Sequence, residues 1–100
     1  MTCWIFTNCR EREAKETLEK LGISPSLFKG IFGIDFTEPY CKPEREAFEK
    51  VLRVTGSNAI MFDDTAENLV TARACGLHTV HVRDLRHLIK VFSLGINNDT

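Results

Sequence analysis

A hydroxyl at Thr7, an amide at Asn8, an ammonium at Lys42 and the carboxylate doublet Asp63–Asp64 are the reactive or ligand-holding groups that stand out in this chain. The doublet stands where the apolar run "AIMF" stops. Two carboxylates side by side repel, which costs stability unless a cation or hydrogen-bond donors offset the repulsion. A hydroxyl, an ammonium and paired carboxylates on one edge would suit a phosphate with a divalent cation. The hydroxyl and nearby backbone N–H groups would hold phosphoryl oxygens, the ammonium would neutralise their charge, and the carboxylates would hold Mg²⁺. Each residue alone has a plainer reading: Thr as a local cap, Lys before "PE" as a solvated side chain, adjacent aspartates as helix caps.

The elements that must position these groups alternate along the chain. "CWIFTN" reads as a buried strand ending in Thr7 and Asn8. "REREAKETLEKLG" predicts a helix with Ala14, Leu18 and Leu21 on one stripe and Gly22 as its stop. "SPSLFKG" reads as a turn or short helical piece. "GIFGID" predicts a second strand ending in Asp35, weakened by its glycines. "KPEREAFEKVLRVTG" predicts a helix with Pro43 in its first turn and Ala47, Phe48, Val51 and Leu52 inward. "NAIMFDD" is the third strand, and Thr65 can cap the helix after it, with Leu69, Val70 and Ala74 facing in. "HTVHV" is the fourth strand, and Asp84 caps an amphipathic helix bearing Leu85, Leu88, Ile89 and Phe92. The pattern predicts one α/β unit in which a parallel sheet lies between helices, with ligands bound outside the carboxyl ends of its strands.

Composition bounds the function. With 100 residues, a net charge of −1 and 43% hydrophobic residues, nothing argues for nucleic acid or for disorder. The apolar runs are far shorter than the roughly 20 residues that span a bilayer, and the start has no signal-peptide pattern. Cys3, Cys9, Cys41 and Cys75 show no C-x-x-C pairing and read as reduced thiols in a cytoplasmic protein. His78 and His81, three apart on a strand, point to opposite faces and do not read as a metal pair.

"WIFTN", "CKPEREAFEKVL" and "MFDDTAENLVTARACGLHTVHV" resemble, in order and spacing, the second to fourth motifs of the haloacid dehalogenase-like hydrolases. The resemblance covers roughly residues 4 to 83, and "FTN" and "CKP" are most similar to the pyrimidine 5′-nucleotidase-type branch. It implies a three-layer, Rossmann-like α/β core over residues 1–96 with a frayed tail at 97–100, and an Mg²⁺-dependent phosphomonoester hydrolase. Thr7 and Asn8 would bind the phosphoryl group. Lys42 would stabilise its charge and that of the nucleophile. Asp64 would ligate Mg²⁺ directly, Asp63 would do so through water or orient the site, and Asn68 would support the lysine or the acidic loop. The substrate implied is a phosphorylated small molecule such as a nucleoside monophosphate.

That family attacks phosphate with the first aspartate of a D-x-D motif on an earlier strand, and this sequence contains no D-x-D. By the resemblance, the chain corresponds to the part of such an enzyme that begins at its second motif. The cap and the central nucleophile strand are missing. With strands about 4.8 Å apart, loss of the central one leaves a slot about 10 Å wide or forces its neighbours to pair. An open slot would offer a route to self-association. The expectation is a family member inactive as an isolated chain; the alternative is a non-catalytic phosphate-, metal- or protein-binding module. A phospho-acceptor receiver domain is discounted, because its acidic pair ends the first strand.

Overall fold

A computed structural model of the chain describes residues 2–84 together with 86 and 87. Strand β1 (Trp4–Phe6) leads into helix α1 (Glu11–Lys20), and a 3₁₀ turn at Pro25–Leu27 precedes β2 (Gly30–Phe32). A short helix α2 (Ile34–Thr37) and the longer α3 (Arg45–Thr55) come next, then β3 (Ile60–Asp63), α4 (Ala66–Ala74) and β4 (His78–His81). The result is a mixed α/β arrangement with strictly parallel strand pairing.

The strands do not join into one sheet. β1 pairs with β2 and β3 with β4, giving two two-stranded sheets among the described residues, where the sequence predicted a single one. Among the described residues β1 and β3 do not pair with each other, so the direct pairing considered as one outcome does not occur. Helix α3 spans the division by packing against both α2 and α4.

The core follows the amphipathic patterns, with two instructive departures. Leu18 of α1, Phe32 of β2 and Ala47, Phe48 and Val51 of α3 are buried, as are Leu69 and Ala72 of α4. On α4 the predicted stripe is rotated: Val70 is 60% exposed and Ala74 lies outside, while Asn68 turns inward. A polar residue can take the inward position because Asp63 accepts a hydrogen bond from it there.

The second departure is at β2, which ends at Phe32 instead of running on to Asp35. Asp35 lies in the first turn of α2, where its Oδ1 accepts the Glu11 N–H and so caps α1, 3.2 Å away. Its place is therefore not a strand end. The glycines that weakened the strand prediction are required by close approach. A Cβ on Gly30 would lie 2.8 Å from the Trp4 ring, and one on Gly33 would lie 2.7 Å from the Cys9 carbonyl. Pro43 precedes α3 and is not in its first turn, since the helix begins at Arg45 with Glu44 as its N-cap.

Asp84 acts as the expected cap, its Oδ1 accepting from the Arg86 and His87 N–H groups at 3.0 and 3.4 Å. Leu85, Leu88, Ile89, Phe92 and residues 97–100 lie outside the described residues. The four cysteines are free thiols, Cys9 exposed and the others half-buried. No helix among the described residues is long and apolar enough to cross a membrane.

Candidate active site

Lys42 joins the two sheets. Its Nζ donates to the Phe6 carbonyl at 2.9 Å and lies 3.4 Å from Asp63 Oδ2, with the two side chains 9% and 3% exposed. Alternate residues of a strand turn their N–H and C=O to opposite edges. The Thr7 N–H donates to the Phe32 carbonyl of β2, so the Phe6 carbonyl faces the edge of β1 away from β2. The ammonium satisfies that backbone acceptor and reaches the end of β3 from there. It also sits 4.9 Å from the centre of the Phe6 ring, a cation–π contact in a partly desolvated place.

The lysine is held by its main chain as well. Asn8 Oδ1 accepts the Lys42 N–H at 2.9 Å, and Asn8 Nδ2 donates to the Lys42 carbonyl at 3.1 Å. This two-point clamp ties the end of β1 to the loop before α3. Neighbouring Thr7 uses its Oγ1 to accept the Cys9 N–H at 3.1 Å. That leaves its hydroxyl proton free to donate outward.

The two aspartates differ sharply. Asp63 is buried and both of its carboxylate oxygens are engaged. Its Oδ1 accepts the Thr65 N–H at 2.8 Å, and its Oδ2 accepts from Asn68 Nδ2 at 3.2 Å and faces Lys42. Burial alone would raise its pKa. The Thr65 N–H, the Lys42 charge and the Asn68 amide outweigh that and hold the carboxyl below its ordinary value. Asp64, by contrast, is exposed, and among the described residues its carboxylate is bonded by the Thr65 hydroxyl, 3.3 Å away. Thr65 stands at the N-cap of α4 but, against the expectation, makes no side-chain cap bond; its own N–H is held by Asp63.

The rim thus brings Lys42, Asp63 and Asn68 into one connected group. Asn8 is joined to it through the main chain of Lys42. Thr7 comes directly after Phe6, whose carbonyl binds Lys42, and Asp64 directly after Asp63. Between the lysine and the acidic loop, the Asn68 amide meets the acid. Sequence reasoning missed two contacts: the Phe6 carbonyl, which no side-chain pattern can reveal, and His81. The His81 Nε2 lies 3.2 Å from the Asp64 carbonyl. A carbonyl only accepts, so that nitrogen carries a proton and fixes the acidic loop to β4. Cys41, beside Lys42, is an unreactive neighbour: burial and then the Glu44 carboxylate push its thiol pKa up.

Whether the rim can hold a divalent cation depends on its donors. Asp63 could ligate only by surrendering bonds that stabilise it, and no group of three or more acidic, His or Cys side chains among the described residues forms a cage. A single free carboxylate with hard oxygens suits Mg²⁺, which keeps several waters and takes one or two carboxylates plus substrate phosphate. Of the two aspartates, Asp64 is the one whose exposed carboxylate could take such an ion without giving up buried bonds.

Compared with known proteins, residues 1–76 match the family model described as "Hydrolase: haloacid dehalogenase-like hydrolase". The matched region contains every residue of the rim from Thr7 to Asn68 and stops short of β4. No curated protein matches the chain.

Proposed function

The chain belongs to the haloacid dehalogenase-like hydrolase family, and from that premise we propose that its rim is the phosphoryl- and Mg²⁺-binding part of a phosphomonoester hydrolase. The observation that carries this reading is the buried Lys42–Asp63 pair at the junction of β1 and β3. Asp63 orients the ammonium and neutralises it in the resting site. The Thr7 hydroxyl donates to a phosphoryl oxygen, and Lys42 offers positive charge to the others. Asn8 acts through Lys42 by fixing its main chain, and Asn68 does the same for Asp63. Asp64 would hold Mg²⁺, which when bound would neutralise phosphoryl charge. The motif details favour a pyrimidine 5′-nucleotidase-like substrate, a nucleoside monophosphate.

Hydrolysis needs a nucleophile and a general acid, and the sequence has no D-x-D to supply them. This chain alone binds phosphate and does not turn a phosphomonoester over. The test has two parts. Titrating inorganic phosphate in the presence of Mg²⁺ should shift the backbone amide resonances of Thr7–Cys9 and of Asp64–Thr65. Incubation with p-nitrophenyl phosphate and Mg²⁺ should release no nitrophenol above the uncatalysed rate. Turnover abolished by Asp64→Ala would overturn the non-catalytic reading, and an absence of phosphate binding would overturn the assignment of the rim.

A further inference from the structure

The rim does not end at the acidic loop. β3 and β4 run in register, with Asp63 opposite His81, and the ladder continues one step further through the Val82 N–H, which donates to the Asp63 carbonyl at 3.0 Å. Asp64 therefore stands level with the residues just beyond β4. Between them lies an open groove of about 390 Å³ lined by Asp64, His81, Val82 and Arg83. One wall is fixed to the acidic loop by the bond from His81 to the Asp64 carbonyl.

Arg83 is the one cation among the lining residues. It is exposed, and it makes no ion pair within 4.0 Å with any described carboxylate, Asp64 included, although both line the same groove. Asp64 and Arg83 are thus both open to a ligand, and they offer it charges of opposite sign. The Asn8 amide oxygen and nitrogen, by contrast, are both engaged by Lys42. Asp64 belongs to both the rim and the groove, so a phosphomonoester held at Lys42 and Asp64 would have the groove beside it.

We propose that Arg83 is a specificity-determining residue, and that the groove selects phosphomonoesters whose leaving group carries a second anionic group. A guanidinium binds a carboxylate or phosphate through two parallel N–H bonds, which a neutral leaving group cannot return. This rests on the reading of the rim as a phosphoryl site. His81 forms the groove wall and takes no charge-reading role.

The experiment measures binding to the full chain with Mg²⁺ by calorimetry, using inorganic phosphate, glycerol 3-phosphate and 3-phosphoglycerate. The carboxylated probe should bind about 10-fold more tightly than the glycerol ester. Arg83→Gln should remove that preference and leave the affinity for inorganic phosphate unchanged, and Arg83→Lys should restore part of it. Equal affinity of the wild-type chain for the two esters overturns the proposal, as does an Arg83→Gln variant that keeps the preference or weakens all three probes alike. Failure of inorganic phosphate itself to bind would instead bring down the underlying phosphoryl site, and this inference with it.

Discussion

Around β1 and β2 the layer is filled by aromatic rings. Trp4 stacks on Phe32, Phe32 meets Phe36, and Phe6 meets Phe48 of α3 edge-on, with ring centroids 4.9–5.1 Å apart. On the other half, around β3 and β4, Ile60, Val70 and Val80 leave 58%, 60% and 42% of their surface exposed. That half carries the acidic doublet and the groove instead. The division teaches that aromatic packing is concentrated on one side, while the rim draws on both. Thr7 and Asn8 come from the end of β1 and the doublet from the end of β3, with α3 and Lys42 as the couplings between them.

The sharpest way to break that comparison is at the ring cluster. Phe48 is 1% exposed, so Phe48→Ala removes a full ring from a closed site and should cost about 3–5 kcal/mol, read from the urea midpoint. Val70→Ser on the other half should change stability by no more than about 0.5 kcal/mol. Equal costs would mean that apolar stabilisation is spread evenly and the division is false.

A smaller effect sharpens the role of the coupling. In Asp63→Asn, an amide group would face the Lys42 ammonium and the Asn68 amide, donor against donor, at a buried position. The expected loss near neutral pH is about 2–3 kcal/mol. The pH dependence identifies its origin. The folded-state pKa of Asp63 lies below the ordinary value of 3.8. Between those two pKa values the unfolded chain binds more protons than the folded one, so stability rises with pH there. Above the ordinary value the contribution is complete, and it is lost as pH falls through the folded value. Thermal unfolding monitored down through pH 4 should show a flatter acid limb for Asp63→Asn than for the wild-type chain.

The elements were legible in the sequence because their signals are local: glycine stops at Gly22 and Gly56, the α3 stripe, and the apolar run into Asp63. The β2 boundary was not. Gly33 is there for a close approach to the Cys9 carbonyl, a long-range fact that a strand pattern cannot express. The inward face of α4 was misplaced for a similar reason, since hydrophobicity alone gives Asn68 to solvent, and only its bond to Asp63 draws it in. At the site, residue types and spacing singled out Thr7, Lys42 and the doublet, of which the structure brings Lys42 and Asp63 into contact. Spacing could not say that one aspartate would be enclosed and its neighbour left open.

Asn8 offers the finest test of how the halves are joined. Its amide makes two bonds to the Lys42 main chain, but the side chain is exposed, so water can replace much of what is lost. Asn8→Ala should therefore cost only about 1 kcal/mol. Asn8→Asp, which keeps an acceptor for the Lys42 N–H, should cost less. Neither change touches the Nζ contacts with the Phe6 carbonyl and Asp63. The acid limb of the stability profile should then keep its wild-type shape in Asn8→Ala, whereas the new carboxylate of Asn8→Asp adds its own titration there. If Asn8→Ala flattened that limb as much as Asp63→Asn does, the main-chain clamp would be what holds the ammonium against the carboxylate. The two halves would then be joined through the end of β1 rather than through the lysine side chain.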